Sequence, residues 1–256
     1  MTARTIRVGL TAAAIVLCSG VASAEVMSWT VDGVTREASV FAPATSTGKL
    51  PLVLSFHGHG DEMETFQYVG LQQAWPDAVV VYFQGLPSRD GYRGWQVEPG
   101  EYGDRDLTLV DVALASLRKR FAIDADRVYA TGFSNGAHFT YLLWATRADV
   151  FAAFAPVAGR MRPSAQPTEP RPLLHVAGGQ DRQVAFVDQR AAIATAVRVD
   201  GVGGKTTACG SRCTLYGPAS VTPVMTWIHA GGHEYPTGTS ARIAAFFHDH
   251  PRVAAR

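Results

Sequence analysis

The sequence lacks an excess of charge of either sign. Its 256 residues carry 23 Lys and Arg against 22 Asp and Glu, so it offers no electrostatic reason to bind nucleic acid or an acidic membrane surface. Cysteine is scarce, with three residues in all, and the chain is long enough to bury a core without a framework of disulfides or metals. Long apolar runs are missing apart from Val8 to Cys18, which is too short to span a bilayer. No internal repeat, low-complexity linker or H-E-x-x-H zinc motif occurs. Asparagine is rarest of all: Asn135 is the only one.

The one apolar run has a context. Arg4 and Arg7 precede it, and small residues ending in Ala22-Ser23-Ala24 follow, which are the three parts of a secretory signal. Cleavage after Ala24 is expected to leave 256 less 24, or 232, residues with a charge of about −1. Export to the periplasm or the medium is expected. A hydrophobic fraction of 47% and a charged fraction of 18% predict one compact domain over residues 25–256, with little room for a polymer-binding module. Cys18 leaves with the signal. Cys209 and Cys213 remain as an even pair in a Gly/Ser/Thr-rich loop, and a disulfide between them is expected.

Met27 to Val31 and Val34 to Phe41, separated by Asp32-Gly33, predict an antiparallel hairpin at a sheet edge. Leu52 to Phe56, Val79 to Phe83, Val128 to Ala130 and Leu173 to Val176 are short apolar runs, as in strands covered on both faces. Leu107, Val110, Leu114 and Leu117 mark a helix, opened by Asp104 and closed by Arg118-Lys119-Arg120 in accord with the helix dipole. Strands alternating with helices predict an α/β fold with a mostly parallel central sheet and helices on both faces. Two long loops, Gly85 to Gly103 and Arg162 to Pro172, interrupt the rhythm and are candidate borders of a site.

Gly132-Phe133-Ser134-Asn135-Gly136 lies between a strand pattern and a helical run, Ala137 to Ala145. A serine between two glycines at such a turn is a nucleophile elbow, with the helix N-terminus facing the developing negative charge. Serine needs a base, and the base an orienting acid, in the chain order Ser, Asp or Glu, His. Asp181 follows the strand Leu173 to Ala177 and is the expected acid; Asp188 and Asp200 fall in or after a helical pattern and are expected to be solvated. His233, in the loop after Val224 to Ile228, is the expected base, with His229 the weaker choice. His248 and His250 are expected at the surface, and His138 and His175 in packing roles. His57-Gly58-His59-Gly60 lacks a third metal ligand; its place after a strand suits an oxyanion turn, with the N–H of His59 and that of Asn135 as donors.

H-G-H-G after the first core strand, Asp126 to Ala137, and Gly231-Gly232-His233-Glu234-Tyr235-Pro236 together resemble the secreted polyhydroxybutyrate depolymerase and feruloyl esterase group of α/β hydrolases. The resemblance runs from about Pro51 to the C-terminal helix. It implies the α/β-hydrolase fold and an ester hydrolase that uses Ser134, Asp181 and His233, needs no cofactor or metal, and takes a small or oligomeric ester. Tyr235 stands where the group often has Trp, and His59 where it often has Cys. Peptidases and acyltransferases use the same constellation, and a catalytically silent binding protein is the alternative from another class. Tyr92, Trp95 and Tyr102 of the long loop are expected either to flank the cleft, stacking on a phenolic or sugar ring, or merely to pack the loop down.

Overall fold

The computed structural model describes residues 24–252; the expected signal segment, apart from Ala24, lies outside the described residues. The chain opens with β1 (Glu25–Val31) and β2 (Val34–Phe41), paired antiparallel through a two-residue turn. Asp32 and Gly33 both take positive φ (49° and 78°), which suits Asp-Gly in a hairpin turn. Then come β3 (Leu50–Phe56), two short helices α1 (Met63–Phe66) and α2 (Leu71–Ala74), and β4 (Val79–Phe83). A small ribbon, β5 (Leu86–Pro87) with β6 (Arg93–Gly94), lies within the first long loop. α3 (Arg105–Arg120), β7 (Ile123–Phe133), α4 (Asn135–Arg147), β8 (Ala153–Val157), β9 (Leu173–Gly178) and α5 (Phe186–Val199) complete the centre. The chain closes with β10 (Thr206–Ala208), β11 (Cys213–Tyr216), β12 (Val224–His229) and α6 (Thr239–Asp249).

Ten strands form one sheet in the order β1-β2-β4-β3-β7-β8-β9-β12-β11-β10. The six from β4 to β12 are parallel, and each margin carries antiparallel strands. Parallel strands must be covered on both faces, which is why their sequences are apolar throughout. Residues of one parity, such as Leu52, Leu54, Val128 and Ala130, pack beneath α3, α4 and α5. Those of the other parity, such as Val53, Val80, Tyr129 and Leu174, pack against α1, α2 and α6.

Two strand regions depart from expectation. β8, Ala-Phe-Ala-Pro-Val, lies fully buried at the sheet centre although its proline gives no strand signal. The segment around Cys209 and Cys213, expected as a loop, contains β11 and the edge strand β10, and the Cys209–Cys213 disulfide closes the turn between them. Among the described residues no helix is long and apolar enough to cross a membrane.

Candidate active site

Ser134 sits between β7 and α4 with φ 55° and ψ −113°, a region that a non-glycine residue occupies only at a cost of about 1–3 kcal/mol. The surrounding contacts hold it there. Its N–H donates to the Val157 carbonyl at 2.9 Å, and its carbonyl accepts from Ala137 and His138 as α4 begins. The flanking glycines are required by close approach: a side chain at Gly136 would strike the Phe56 carbonyl, and one at Gly132 the carbonyl of Gly136.

His233 and Asp181 meet this serine from the far side. His233 Nε2 is 2.8 Å from Ser134 Oγ, and its Nδ1 is 2.8 Å from Asp181 Oδ2. Three residues spread over about a hundred positions thus form one hydrogen-bonded string at the carboxyl edge of the sheet. The Asp181 side chain is wholly buried, and its Oδ1 accepts the backbone N–H groups of Gln183 (2.9 Å) and Val184 (3.0 Å). Gly178 packs against the Gly232 carbonyl so closely that no side chain fits, which joins the end of β9 to the loop that carries His233.

The rival candidates are placed elsewhere. His229 Nδ1 accepts the Gly231 N–H at 3.1 Å, and burial lowers the proton affinity of this imidazole despite nearby Glu234 and Asp181. It supports the loop. Asp188 is half-buried and lies 3.7 Å from Arg160. Asp200 corrects an expectation: it is buried, and desolvation pushes its carboxyl up to about 8, partly opposed by the Arg171 N–H donated to Oδ1 at 3.0 Å. His248 is exposed as expected, whereas His250 is half-buried with its Nδ1 2.6 Å from the Phe246 carbonyl.

The H-G-H-G turn adjoins Ser134 from the β3 side. His57 is buried; its Nδ1 donates to the Gly58 carbonyl (2.7 Å) and its Nε2 accepts the Gly85 N–H (3.0 Å), so it carries its proton on Nδ1. Burial depresses its pKa, partly opposed by the Gly58 bond. His59 points outward to Asp90 at 2.8 Å. The two histidines therefore face different partners and form no metal pair. Neither the N–H of His59 nor that of Asn135 is engaged by another described residue.

Asn135 has a task that sequence reasoning left open. Its side chain grips the Trp95 peptide at two points: Oδ1 accepts the Trp95 N–H at 2.7 Å, and Nδ2 donates to the Trp95 carbonyl at 3.2 Å. Of the two places expected for Trp95, the cleft is ruled out and packing of the loop is found. Rather than lining the cleft, its indole is only 2% exposed, stacks on Phe139 and donates Nε1–H to the His57 carbonyl at 3.0 Å. Tyr92 is exposed at the loop's tip, its ring 5.8 Å from that of His59. Tyr102 lies under the Arg105 guanidinium at 4.2 Å, and half-buried Tyr235 sets its hydroxyl 2.9 Å from Ser240 Oγ, with its ring edge-on to Phe133.

Several supporting residues gave no sequence signal. Asp106 is buried, paired with Arg36 at 2.7 Å, and accepts the Gln96 N–H at 2.8 Å; Gln96 Oε1 in turn accepts the first N–H groups of α3. On the other side Gln189 Nε2 donates to Asp181 Oδ2 at 2.9 Å. Polar residues inside apolar periodic patterns were the only available hint.

No family model matches the chain. It is 32% identical over 153 residues to the bifunctional acetylxylan esterase/xylanase XynS20E of Neocallimastix patriciarum, covering 58% of this chain and 22% of that protein. To the poly(3-hydroxyalkanoate) depolymerase C of Paucimonas lemoignei it is 30% identical over 123 residues, covering 46% of this chain and 30% of the other. The chain thus spans less than a third of the length of either relative. A solved ferulic acid esterase superposes with a TM-score of 0.63 at 13% identity, covering 89% of this chain and 97% of that one. The sheet order, crossovers and these likenesses establish the α/β-hydrolase fold.

Proposed function

We propose that the protein is an exported carboxylic ester hydrolase that works through an acyl-enzyme on Ser134. The observation that carries this reading is the string from Ser134 Oγ through His233 to Asp181, with both hydrogen bonds at 2.8 Å. A serine hydroxyl becomes an effective nucleophile when a neighbouring base takes its proton. Ser134 Oγ attacks the ester carbonyl carbon while its proton passes to His233 Nε2. The carbonyl π pair moves onto oxygen, and the N–H groups of His59 and Asn135 hold that oxyanion, each donor worth about 3 kcal/mol of barrier. Collapse expels the alkoxide, which takes the proton from His233. Water, deprotonated by the same imidazole, then releases the acid and restores Ser134. Asp181 keeps the His233 proton on Nδ1 and offsets the positive charge that the ring acquires.

The substrate is a small or oligomeric ester. Acetylated xylan, hydroxyalkanoate and ferulate, named for the relatives and the superposed esterase, are the acyl classes to compare. Tyr92 is the one loop aromatic with a free face at the rim for a phenolic or sugar ring. A panel of p-nitrophenyl esters, methyl ferulate and a hydroxybutyrate trimer ranks these classes. Ser134→Ala is expected to reduce hydrolysis of p-nitrophenyl acetate by at least about a thousandfold. A wild-type rate in that variant overturns the proposal.

A further inference from the structure

We propose that Gln189, His175 and Tyr141 form a buried positioning relay that fixes the orientation and hydrogen bonding of Asp181, and through it the behaviour of His233. The inference rests on the role given above to Asp181 and His233. The relay crosses three elements: Tyr141 on α4, His175 on β9 and Gln189 on α5, all essentially inaccessible to solvent.

Its polarity follows from one charge. Asp181 Oδ2 accepts from both His233 Nδ1 (2.8 Å) and Gln189 Nε2 (2.9 Å). The Gln189 amide cannot be reversed, because Oε1 would then face a carboxylate oxygen with no proton between them. Oε1 must face His175 Nε2 at 3.2 Å, so His175 carries its proton there. Nδ1 is then free to accept from the Tyr141 hydroxyl at 2.6 Å. Every donor in the string points towards Asp181, and hydrogen bonds aligned in this way polarise one another. Burial holds the His175 pKa down to about 4 and pushes the Tyr141 hydroxyl well above its ordinary range, so neither group changes protonation near neutrality. Gln189 Nε2 also donates to the Val184 carbonyl at 2.8 Å, tying the amide to the same turn that caps Asp181 Oδ1.

A cluster that only fills space would affect stability when altered. A relay also changes how strongly the carboxylate holds the His233 proton. With one donor removed, Asp181 depends more on Nδ1–H, the imidazolium is stabilised, and the His233 pKa rises. The other ionisable groups nearby are His229 at the end of β12, Glu234 on the His233 loop, His138 on α4, and Arg160 and Arg162 after β8; none is altered in the variants below.

The test uses the whole protein with Gln189→Met, which keeps the side-chain length and loses the amide, and with Tyr141→Phe, which loses one oxygen. His233 is titrated by NMR, and the pH profile of kcat/KM is measured on p-nitrophenyl acetate. Gln189→Met is expected to raise the His233 pKa and the acidic limb together by about 0.5–1 unit, the equivalent of one hydrogen bond. It should lower kcat about tenfold with KM within about twofold of wild type, because an Asp181 carboxylate no longer held by Gln189 orients the imidazole less well, a loss felt at the reacting atoms and not in binding. Tyr141→Phe is expected to give a smaller shift of the same sign. A folded Gln189→Met protein with an unshifted His233 pKa overturns the relay. If that variant does not fold, an unshifted Tyr141→Phe does so. The NMR titration needs no substrate, so the relay is tested even if the wild-type protein proves inactive on esters.

Discussion

Two buried polar systems flank Ser134, and they are built differently. On the β3 side, Asp106 is neutralised by Arg36, and the hydrogen bonds run through peptide groups: Gln96 N–H to Asp106, then the Trp95 peptide to Asn135. On the β9 side, Asp181 faces no fixed cation among the described residues, and neutral side chains converge on it. The first system fixes the Trp95 peptide and the Asn135 side chain next to Ser134. The second fixes a carboxylate beside an imidazole that, in the proposed mechanism, gains and loses charge. An Arg opposite Asp181 would weaken its hold on His233, whereas for Asp106 no such function is at stake. Asp200 is a third buried carboxylate and belongs to neither system, having one backbone donor and an unpartnered oxygen.

The largest effect expected to separate the two systems is chemical. Asp181→Asn should keep the fold and lower kcat by about ten-thousandfold, because the Asn amide favours the wrong imidazole tautomer; steady-state kinetics on p-nitrophenyl acetate with a thermal melt alongside measure both quantities. Arg36→Met should behave oppositely. It leaves buried Asp106 with only the more distant Arg105, 3.7 Å away, a loss of about 3 kcal/mol in urea unfolding, with kcat per folded molecule changed little. If the rate falls as steeply as the stability, the β3 side is not merely a scaffold. Asn135→Ala releases the Trp95 peptide and should reduce kcat/KM about tenfold, matching the loss of two neutral hydrogen bonds, while 19F or intrinsic fluorescence reports a less rigid Trp95. Asp200→Asn is the smallest effect and the control. Above its ordinary value of 3.8 the unfolded chain releases this proton while the folded protein retains it up to about 8, so stability falls across that interval as pH rises. The variant should therefore gain about 2–4 °C in Tm at pH 8 and nothing at pH 4, with no change in rate.

The features legible in the sequence were those with a local cause. Apolar runs gave β3, β4, β9 and the middle of β7, because strands covered on both faces need no alternation. The strand-turn-helix context marked Ser134, and position after a strand marked Asp181 and His233. β8 was hidden because Pro156 removes a strand signal, while its neighbours on both sides supply the pairing. The place of Trp95 stayed open because an aromatic in a Gly-rich loop looks the same whether its ring turns outward or into the core. Gln189, His175 and Tyr141 span 48 positions from first to last and meet only once α4, β9 and α5 have packed together. No spacing rule connects them.

The clamp on Trp95 divides the segment from Gly85 to Gly103 into two parts with different freedom to change. Gly85 and the stretch from Gly94 to Val97 are buried and held by His57, Asn135 and Asp106. Between them Arg89, Asp90, Gly91 and Tyr92 stand in solvent on a turn closed by its own backbone bonds from Ser88 to Tyr92. Insertions or exchanges in that tip leave the anchoring residues untouched. Evolution, or a designer, is therefore free to rewrite the tip, apart from the Asp90 contact to His59, without disturbing the Trp95 peptide held by Asn135.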